Sequence, residues 1–397
     1  MTAEEQDLLD RLGEVDVPVS RLTVASVTAT ATRRAARRRA AQAGCAAALV
    51  VGALVAVPAL WPGRGAPAVL PGASGLPERC AAGRLPAPAG KTNVWAAAVD
   101  PTGRHIAGYV INGEWGTDPV SGKRSGIPAS EPVVWTDGQP KALPKPVKAV
   151  QPTGINADGV MVAVAGQGKI FDSVFRYVDG VPAKAVLPAG SWEVHPYARI
   201  NAKGDVLISA VPAGARDTKG VVFLWKAGSA TATRLPLPTG ANAKVLTDDG
   251  AILYDVLSAD GQTFTSYVRD ESGKGRALPG PAGQSGSVNT GRGNWAAGNA
   301  WPSGTAITWN LRTGEVTDTG LHAPAHGING SGWILIDDTL VRDGRTVKLA
   351  VVEEGTARSA PRDVADNGTV VGVLAGSTDS KPDLASSGPL IWRCGTI

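Results

Sequence analysis

Two stretches of one repeat decide the fold: TGINADGVMVAVAG at residues 153–166 and SVFRYVDGVPAKAVLP at residues 173–188. The turn from Asn156 to Gly159 introduces an apolar strand, because Asn tolerates left-handed dihedrals and Gly adopts them freely. After a variable loop, the second stretch forms two strands around the Val178-Asp179-Gly180 hairpin turn and ends in Leu-Pro. Together the two stretches predict a four-stranded antiparallel meander.

The same pattern occurs seven times between Asn93 and Ile397, at spacings of about 35 to 50 residues, which is the period of a propeller blade. The first-turn glycines are Gly103, Gly159, Gly204, Gly250, Gly293, Gly332 and Gly368. The matching column after the variable loop is Trp135, Tyr177, Trp225, Val268, Trp309, Val341 and Trp392. The sequence therefore predicts an all-β fold, a seven-bladed β-propeller over residues 80–397. An ordinary sandwich with regular turns is the alternative.

The last copy ends at PLIWRC (389–394) without a fourth strand. We expect GRLPAP (83–88) to supply that strand, so that the N- and C-terminal strands share one blade and close the ring. When the last copy is aligned on the first, Cys80 and Cys394 both fall at the turn between its third and fourth strands, where the chain of this copy is interrupted. This predicts a Cys80–Cys394 disulfide that closes more than 300 residues, with two free cysteines as the alternative.

An uncharged apolar segment at 41–61 is long enough to cross a bilayer as a helix of about 31 Å. Five arginines between Arg33 and Arg39 precede it, so the positive-inside rule leaves residues 1–40 in the cytoplasm and exports the remainder. We therefore expect a single-pass protein of the cell membrane with an extracellular C-terminal domain. A cleaved signal peptide is the alternative.

The two segments that flank this span have no strong pattern of their own. Residues 1–40 are predicted to be a mostly disordered cytoplasmic tail, either a solvated tail that sets topology or a docking peptide for a cytoplasmic partner. Residues 62–79 are rich in Pro, Gly and Ala and predict a linker.

Composition and motifs argue against several functions. The formal net charge is only +4 without a clustered basic face, so no nucleic-acid partner is expected. Three cysteines are too few for a tetrathiolate zinc site, and Pro324 separates His322 from His326, which excludes a helical zinc pair. There is no nucleophile elbow and no phosphate-binding loop. We predict no catalytic, cofactor or metal residue, and no enzyme activity.

Two long loops are the candidate binding face. The loop 111–132 and the loop 375–389 each join the second and third strands of a copy. In a closed ring they would stand side by side on one face, where loops commonly carry function. Tolerated insertions are the alternative. The candidate binding residues are Glu114, Trp115, Asp118, Lys123, Arg124, Asp379, Lys381 and Asp383.

The motifs GINADG (154–159), RINAKG (199–204) and GINGSG (327–332), each followed by an apolar strand, resemble the HAF-type repeats of bacterial extracellular proteins. They are also similar to WD40-like and TolB-like propellers, without the Gly-His and Trp-Asp signatures of true WD40 blades. The overall layout resembles that of membrane-anchored propeller proteins of high-GC Gram-positive bacteria. The resemblance implies a binding or sensing role.

Three functions remain open from the sequence. The first is a monomeric, membrane-anchored recognition module for an unknown protein or cell-envelope glycan ligand. The second is a cell-envelope carbohydrate-active enzyme, a lyase or hydrolase, with its site in the propeller channel. The third is a structural spacer.

Overall fold

The structure is a computed structural model, and it describes residues 76–113, 116–117, 124–214, 220–258, 261, 263–354, 357–376 and 388–395. The chain divides into two compact units, Met1–Ala68 and Val69–Ile397. The predicted tail (1–40), membrane span (41–61) and nearly all of the linker (62–79) lie outside the described residues. Within the described part there are strands and turns but no helix, and so no helix that could cross a membrane.

The described strands form consecutive antiparallel meanders. The first contains β2 (Val94–Val99), β3 (His105–Ile111), β6 (Ser130–Thr136) and β7 (Gln139–Ala142), with β4 (Gly116–Thr117) and β5 (Arg124–Ser125) paired in its long loop. The second contains β8 (Ala149–Ile155), β9 (Met161–Gly166), β10 (Ser173–Val178) and β11 (Val181–Lys184). In the third, the first strand is broken into β12 (Trp192–Val194) and β13 (Arg199–Ile200), followed by β14 (Val206–Pro212), β15 (Val221–Trp225) and β16 (Thr233–Arg234).

The next three meanders are more regular. The fourth contains β17 (Ala241–Leu246), β18 (Ile252–Leu257), β19 (Phe264–Arg269) and β20 (Gly275–Ala277). The fifth contains β21 (Ser285–Arg292), β22 (Trp295–Trp301), β23 (Ala306–Asn310) and β24 (Val316–Asp318). The sixth contains β25 (Ala325–Ile328), β26 (Ile334–Ile336), β27 (Thr339–Arg342) and β28 (Arg345–Lys348).

The final sheet joins the two ends of the described chain. Its order is β1 (Arg79–Arg84), β32 (Gly388–Gly395), β31 (Thr369–Gly376), β30 (Ala357–Val364) and β29 (Glu353–Glu354). The closing strand thus begins at Arg79, four residues earlier than the predicted GRLPAP segment. The reason is register: Cys80 pairs with Cys394, and the strand ends where Arg84 pairs with Leu390, before Pro86.

The predicted disulfide is confirmed: Cys80 and Cys394 are bonded across this pair of strands. The two residues are 314 positions apart in the chain. Cys80 also forms an isolated bridge with Leu349, which follows the sixth meander. The disulfide therefore fixes the closing strand to the last strand. The bridge with Leu349 places the closing strand beside the sixth meander.

The first strands of successive meanders contact one another in a circle. β2 contacts β8, β8 contacts β13, β13 contacts β17, and β17 contacts β21. The circle continues from β21 to β25 and from β25 to β30, and β30 returns to β2. The hydrophobic core lies between neighbouring sheets; one cluster, for example, joins Ala107 of the first meander to Phe175 and Tyr177 of the second. Sheets packed face to face around a common centre define a β-propeller.

The Asn of the repeat has a different function from the one predicted. Asn156 is not in the left-handed region; Gly159, with φ 75°, takes that conformation. The Asn156 amide oxygen accepts the Val160 N–H at 2.9 Å, while its amide nitrogen donates to the Asn201 carbonyl of the next meander at 3.2 Å. Asn201 donates in the same way to the Thr247 carbonyl at 3.4 Å. Asn is used here because its side chain can close its own turn and bond to the neighbouring one.

In three copies, the Trp or Tyr of the column bonds to a Leu-Pro segment of the neighbouring meander. Trp135 Nε1 donates to the Pro86 carbonyl at 2.7 Å, Tyr177 Oη to the Pro144 carbonyl at 2.9 Å, and Trp309 Nε1 to the Pro279 carbonyl at 2.6 Å. These aromatic side chains are almost fully buried. Each one therefore fills the space between two sheets and satisfies its polar atom on the preceding strand connection.

Candidate functional site: the central channel

A cavity of about 460 Å³ lies at the centre of the circle of first strands. It is bounded by β2, β8, β13, β17, β21, β25 and β30, together with Tyr109 of β3 and the first turns. Cavities of this size hold small-molecule ligands in many proteins. The channel is therefore a recess in which to look for a site.

A β-bulge recurs in most of the first strands. The register shifts leave one extra residue in each of six strands: Ala97, Thr153, Lys244, Asn289, His326 and Arg362. Except for Asn289, each stands six residues before the turn glycine of its copy. Bulges redirect side chains and are frequent beside functional sites. Ala97, Thr153, His326 and Arg362 line the cavity.

Two arginines and one aspartate form what we call the turn-side layer: Arg199, Arg292 and Asp363. Arg199 donates to the Lys244 carbonyl and to the Thr153 carbonyl, both at 3.1 Å. Burial lowers the pKa of the Arg199 guanidinium, and the Asp363 carboxylate opposes that shift. Arg199 thus ties its own strand to the first strands of both neighbouring meanders.

Arg292 extends the turn-side layer across the channel. It donates to the Val364 carbonyl at 2.8 Å and to the Val99 carbonyl at 3.1 Å, and it lies 3.7 Å from Asp363. Asp363 in turn accepts the Val99 N–H at 3.0 Å and the Val364 N–H at 2.9 Å. Most of the acceptors of this layer are backbone carbonyls, so it is a structural network that leaves the channel positively charged.

A second group, which we call the loop-side cup, consists of Trp95, Tyr109, His326 and Arg362. Trp95 pairs with Tyr109 across β2 and β3, two residues before the 112–129 connection leaves β3. Their rings stack at 5.9 Å. The Arg362 guanidinium lies 5.8 Å from the centre of the Trp95 ring. The cup therefore combines one cation with two aromatic rings.

Two donors of the loop-side cup lack partners. Trp95 Nε1 is buried and has no hydrogen-bond partner among the described residues. The Arg362 guanidinium forms no hydrogen bond or ion pair to any residue that the structure describes; it contacts the Trp95 ring and acts electrostatically on Tyr109 and His326. A buried donor without an acceptor costs about 1–3 kcal/mol, so the unpaired indole N–H requires an explanation.

The electrostatics of the cup follow from burial and from Arg362. Burial raises the pKa of Tyr109 to about 12, against a smaller lowering by Arg362. Burial is also the main cause of the lowered pKa of His326, with Arg362 adding to it and Asp337 opposing it. His326 Nε2 lies 3.5 Å from Asp337 Oδ1. Both groups are therefore neutral at pH 7, and Arg362 carries the charge of the cup.

Two polar networks stand beside the cavity. His195 Nδ1 lies 2.5 Å from Tyr197 Oη, which donates to Asn242 at 3.0 Å. The buried Asp255 carboxylate accepts Lys244 Nζ at 2.9 Å, and it also accepts the hydroxyls of Ser266 and Ser287. Both networks are internally satisfied and link neighbouring meanders.

The structure does not describe the side chains of the predicted binding residues on the two loops. Glu114, Trp115, Asp118, Lys123, Asp379, Lys381 and Asp383 lie outside the described residues. Arg124 belongs to β5, where its backbone pairs with Thr117 and its side chain lies outside the description. Their role stays a prediction. What the structure does place is the start of the first loop, directly beside the loop-side cup.

The histidines flanking Pro324 are not partners. His322 Nδ1 lies 2.9 Å from the Ser303 carbonyl, whereas His326 faces Asp337. Across the described part of the chain, no group of three or more His, Cys, Asp or Glu side chains could hold a metal ion.

Sequence reasoning missed Trp95 and Arg362. A signal was present, because the position six residues before the turn glycine changes from Ala97 to Thr153, Lys244, His326 and Arg362 among otherwise regular apolar strands. When the residues at one position of a repeat differ in chemistry while the flanking positions stay apolar, that position typically lies outside the packed core. The bulge that releases it is not visible in the sequence.

No family model matches this chain, and no curated protein matches it. Solved propeller structures do. TolB from Acinetobacter baumannii is 16% identical, with 75% of this chain and 65% of that chain covered and a TM-score of 0.40. The Dos1 propeller is 9% identical, with coverage of 81% and 96% and a TM-score of 0.44. A gluconolactonase from Xanthomonas campestris is 10% identical, with coverage of 82% and 99% and a TM-score of 0.40. The propeller assignment rests on this chain's own strand pairing and inner circle.

Proposed function

We propose that this protein is a recognition module: a membrane-anchored β-propeller that binds a protein or cell-envelope ligand and does not catalyse a reaction. The observation that carries the proposal is the state of the carboxylates at the cavity. Asp363 accepts two backbone N–H groups, and Asp248 accepts the Ala202 N–H at 2.7 Å. Carboxylates bonded in this way serve the fold as hydrogen-bond acceptors. Hydrolysis of a glycoside instead requires a pair of carboxyl groups, one acting as the acid and the other as the base or nucleophile.

The propeller of this proposal has seven blades. What supports the number is the circle of first strands, in which the broken β12–β13 pair counts once. The closing blade consists of β30, β31 and β32 from the end of the chain and β1 from residues 79–84. A shared closing blade leaves no open edge in the ring.

The anchoring part of the proposal rests on the sequence of residues 1–61. The span at 41–61 and the preceding arginines place the tail in the cytoplasm and the propeller outside. A disulfide-bonded domain suits an oxidising compartment. Alkaline carbonate extraction tests the anchor: the full-length protein should stay in the membrane pellet, and a variant that lacks 41–61 should not. Equal release of both would remove the anchor from the proposal.

In-cell crosslinking tests the recognition role. Residues 113–128 would be replaced by a Gly-Ser segment of equal length, which keeps the Asn112–Ala129 backbone hydrogen bond of 2.8 Å that closes the loop. A matched control replaces 259–262, the corresponding loop between β18 and β19. Loss of a specific crosslinked partner in the first variant alone supports recognition at this face. An empty profile in the wild type and both variants would count against a macromolecular partner.

The runner-up is a carbohydrate-active enzyme with its site in the channel. What favours it is the His195–Tyr197 hydrogen bond, because Tyr197 lines the cavity and burial lowers the pKa of His195, which keeps it neutral at pH 7. A neutral imidazole can act as a base. Cleavage of envelope polysaccharide by the wild type, lost in His195→Gln, would favour the enzyme over the recognition module.

A further inference from the structure

We infer that the loop-side cup is a binding site for the carboxylate or phosphate group of a small organic anion. The inference deepens the proposed recognition function and rests on it. Its basis is the convergence of two observations in one cavity: an exposed cation, Arg362, without an ion-pair partner among the described residues, and a buried N–H donor, Trp95 Nε1, without an acceptor there.

The first step is charge. Arg362 has no ion-pair partner among the described residues, and the carboxylate next to it in sequence, Asp363, accepts two backbone N–H groups and lies 3.7 Å from Arg292. Arg199 donates to neutral carbonyls, which do not offset its charge, whereas the Asp363 carboxylate partly offsets that of Arg292. An anion that enters the channel therefore meets three guanidinium groups and two carboxylates, Asp363 and Asp248, both of which already accept backbone N–H groups.

The second step is hydrogen bonding. The guanidinium of Arg362 offers a planar set of donors that matches a carboxylate or phosphate, and charged hydrogen bonds of this kind are about twice as strong as neutral ones. The Trp95 indole offers a single donor beside it. Trp95 Nε1 is buried, so the Trp95 ring must rotate before an oxygen held by Arg362 can accept from it.

The third step is what the cup excludes. Its other members, Tyr109 and His326, have pKa values shifted in the directions that keep both rings uncharged at pH 7. The cup therefore has no negative charge to attract a cationic ligand. The volume of about 460 Å³ limits the ligand to about the size of a mono- or disaccharide, either free or at the end of a longer glycan.

The test uses calorimetry on the full-length chain in detergent with four probes: glucuronate, glucose 6-phosphate, inorganic phosphate and glucose. Glucose matches the first two in ring size but has no charge. We expect at least one of the charged probes to bind and glucose not to bind. Preference for glucuronate would identify a carboxylate ligand, and preference for either phosphate would identify a phosphate ligand. Equal binding of glucose, or binding of none of the four, would overturn the inference.

Matched variants locate the site. Arg362→Met should weaken binding of the preferred anion at least tenfold, as the loss of a charged hydrogen bond requires, and Trp95→Phe should weaken it severalfold while retaining a ring. Arg345→Met, on the exposed strand β28, makes the same change of charge away from the cavity and should have no effect. Unchanged affinity in a folded Arg362→Met protein, or equal losses in Arg345→Met, would place the anion elsewhere.

The two proposals can fail separately. If the loop-dependent crosslink persists in Arg362→Met while no anion binds, the recognition function stands and the cup is not its site. If the anion binds at Arg362 but no crosslink depends on 113–128, the ligand is a small molecule and the partner hypothesis fails.

Discussion

The two layers of the channel use the same residue type for different purposes. On the turn side, Arg199 and Arg292 each donate to backbone carbonyls of other strands, so their charges hold the inner circle together. On the loop side, Arg362 lies against the Trp95 ring and has no acceptor among the described residues. An arginine satisfied by the protein serves the fold, whereas one that the protein leaves without an acceptor is available to a ligand. The comparison can be tested by changes that should affect one layer and spare the other.

The largest effect is expected from opening the ring. The double variant Cys80→Ser/Cys394→Ser removes the cross-link over 314 residues, and the chain-entropy model gives a loss of about 5 kcal/mol of unfolding free energy. Both layers of the channel should be destabilised, because both depend on the closed circle of first strands. Urea denaturation of wild type and variant, with and without reductant, measures the loss. A variant as stable as the oxidised wild type would show that packing alone closes the ring.

The next effect separates the layers directly through one matched substitution. Arg292→Met should lower the free energy of unfolding by about 3 kcal/mol, because it leaves the Val364 and Val99 carbonyls without their charged donor. Arg362→Met should change it by less than about 0.5 kcal/mol, because no acceptor in the described part of the chain loses a bond. Chemical denaturation of both proteins provides the comparison. Equal losses would refute the division into two layers.

Tryptophan provides the same contrast at a smaller scale. Trp309→Phe removes a donor that bonds to the Pro279 carbonyl at 2.6 Å and leaves space in the core, for a cost of about 2 kcal/mol. Trp95→Phe removes a donor that has no described partner, so its cost should stay below about 1 kcal/mol. Thermal unfolding followed by circular dichroism ranks the two variants. The reverse ranking would mean that the Trp95 indole already has a partner.

The smallest effect is electrostatic and concerns His326. Its pKa in the folded protein is lowered, so the unfolded chain binds more protons just below the ordinary value of about 6.5. The stability due to this group is therefore full above that value and is lost as the pH falls towards the folded pKa. Removing the Arg362 charge should raise the pKa of His326, whereas Arg292→Met should leave it unchanged. NMR titration of the His326 ring in both variants measures this. An identical shift in both would mean that Arg362 does not act on His326 specifically.

The repeat was readable from the sequence because each copy carries its own local signals. The glycine of every first turn adopts a positive φ, and the Asp137-Gly138 and Asp179-Gly180 hairpins do the same at both positions. The disulfide was predictable because the register of the missing strand places Cys80 opposite Cys394. The start of the closing strand was misplaced, since the predicted segment begins at Gly83 whereas the strand begins at Arg79, before the cysteine that pairs with Cys394.

The sequence by itself determined the β-meander repeat, its turns, its buried aromatic column and the pair of cysteines that closes it. These features depend on dihedral preference and on burial, and both act within one copy or between neighbouring copies. Only the tertiary structure decided the channel chemistry. Bulges in six first strands bring Ala97, Thr153, His326 and Arg362 to the channel, and the circle brings Trp95 and Arg362, 267 positions apart in the chain, into one cup. Whether a polar atom finds a partner there depends on residues far away in sequence, so no local pattern records it.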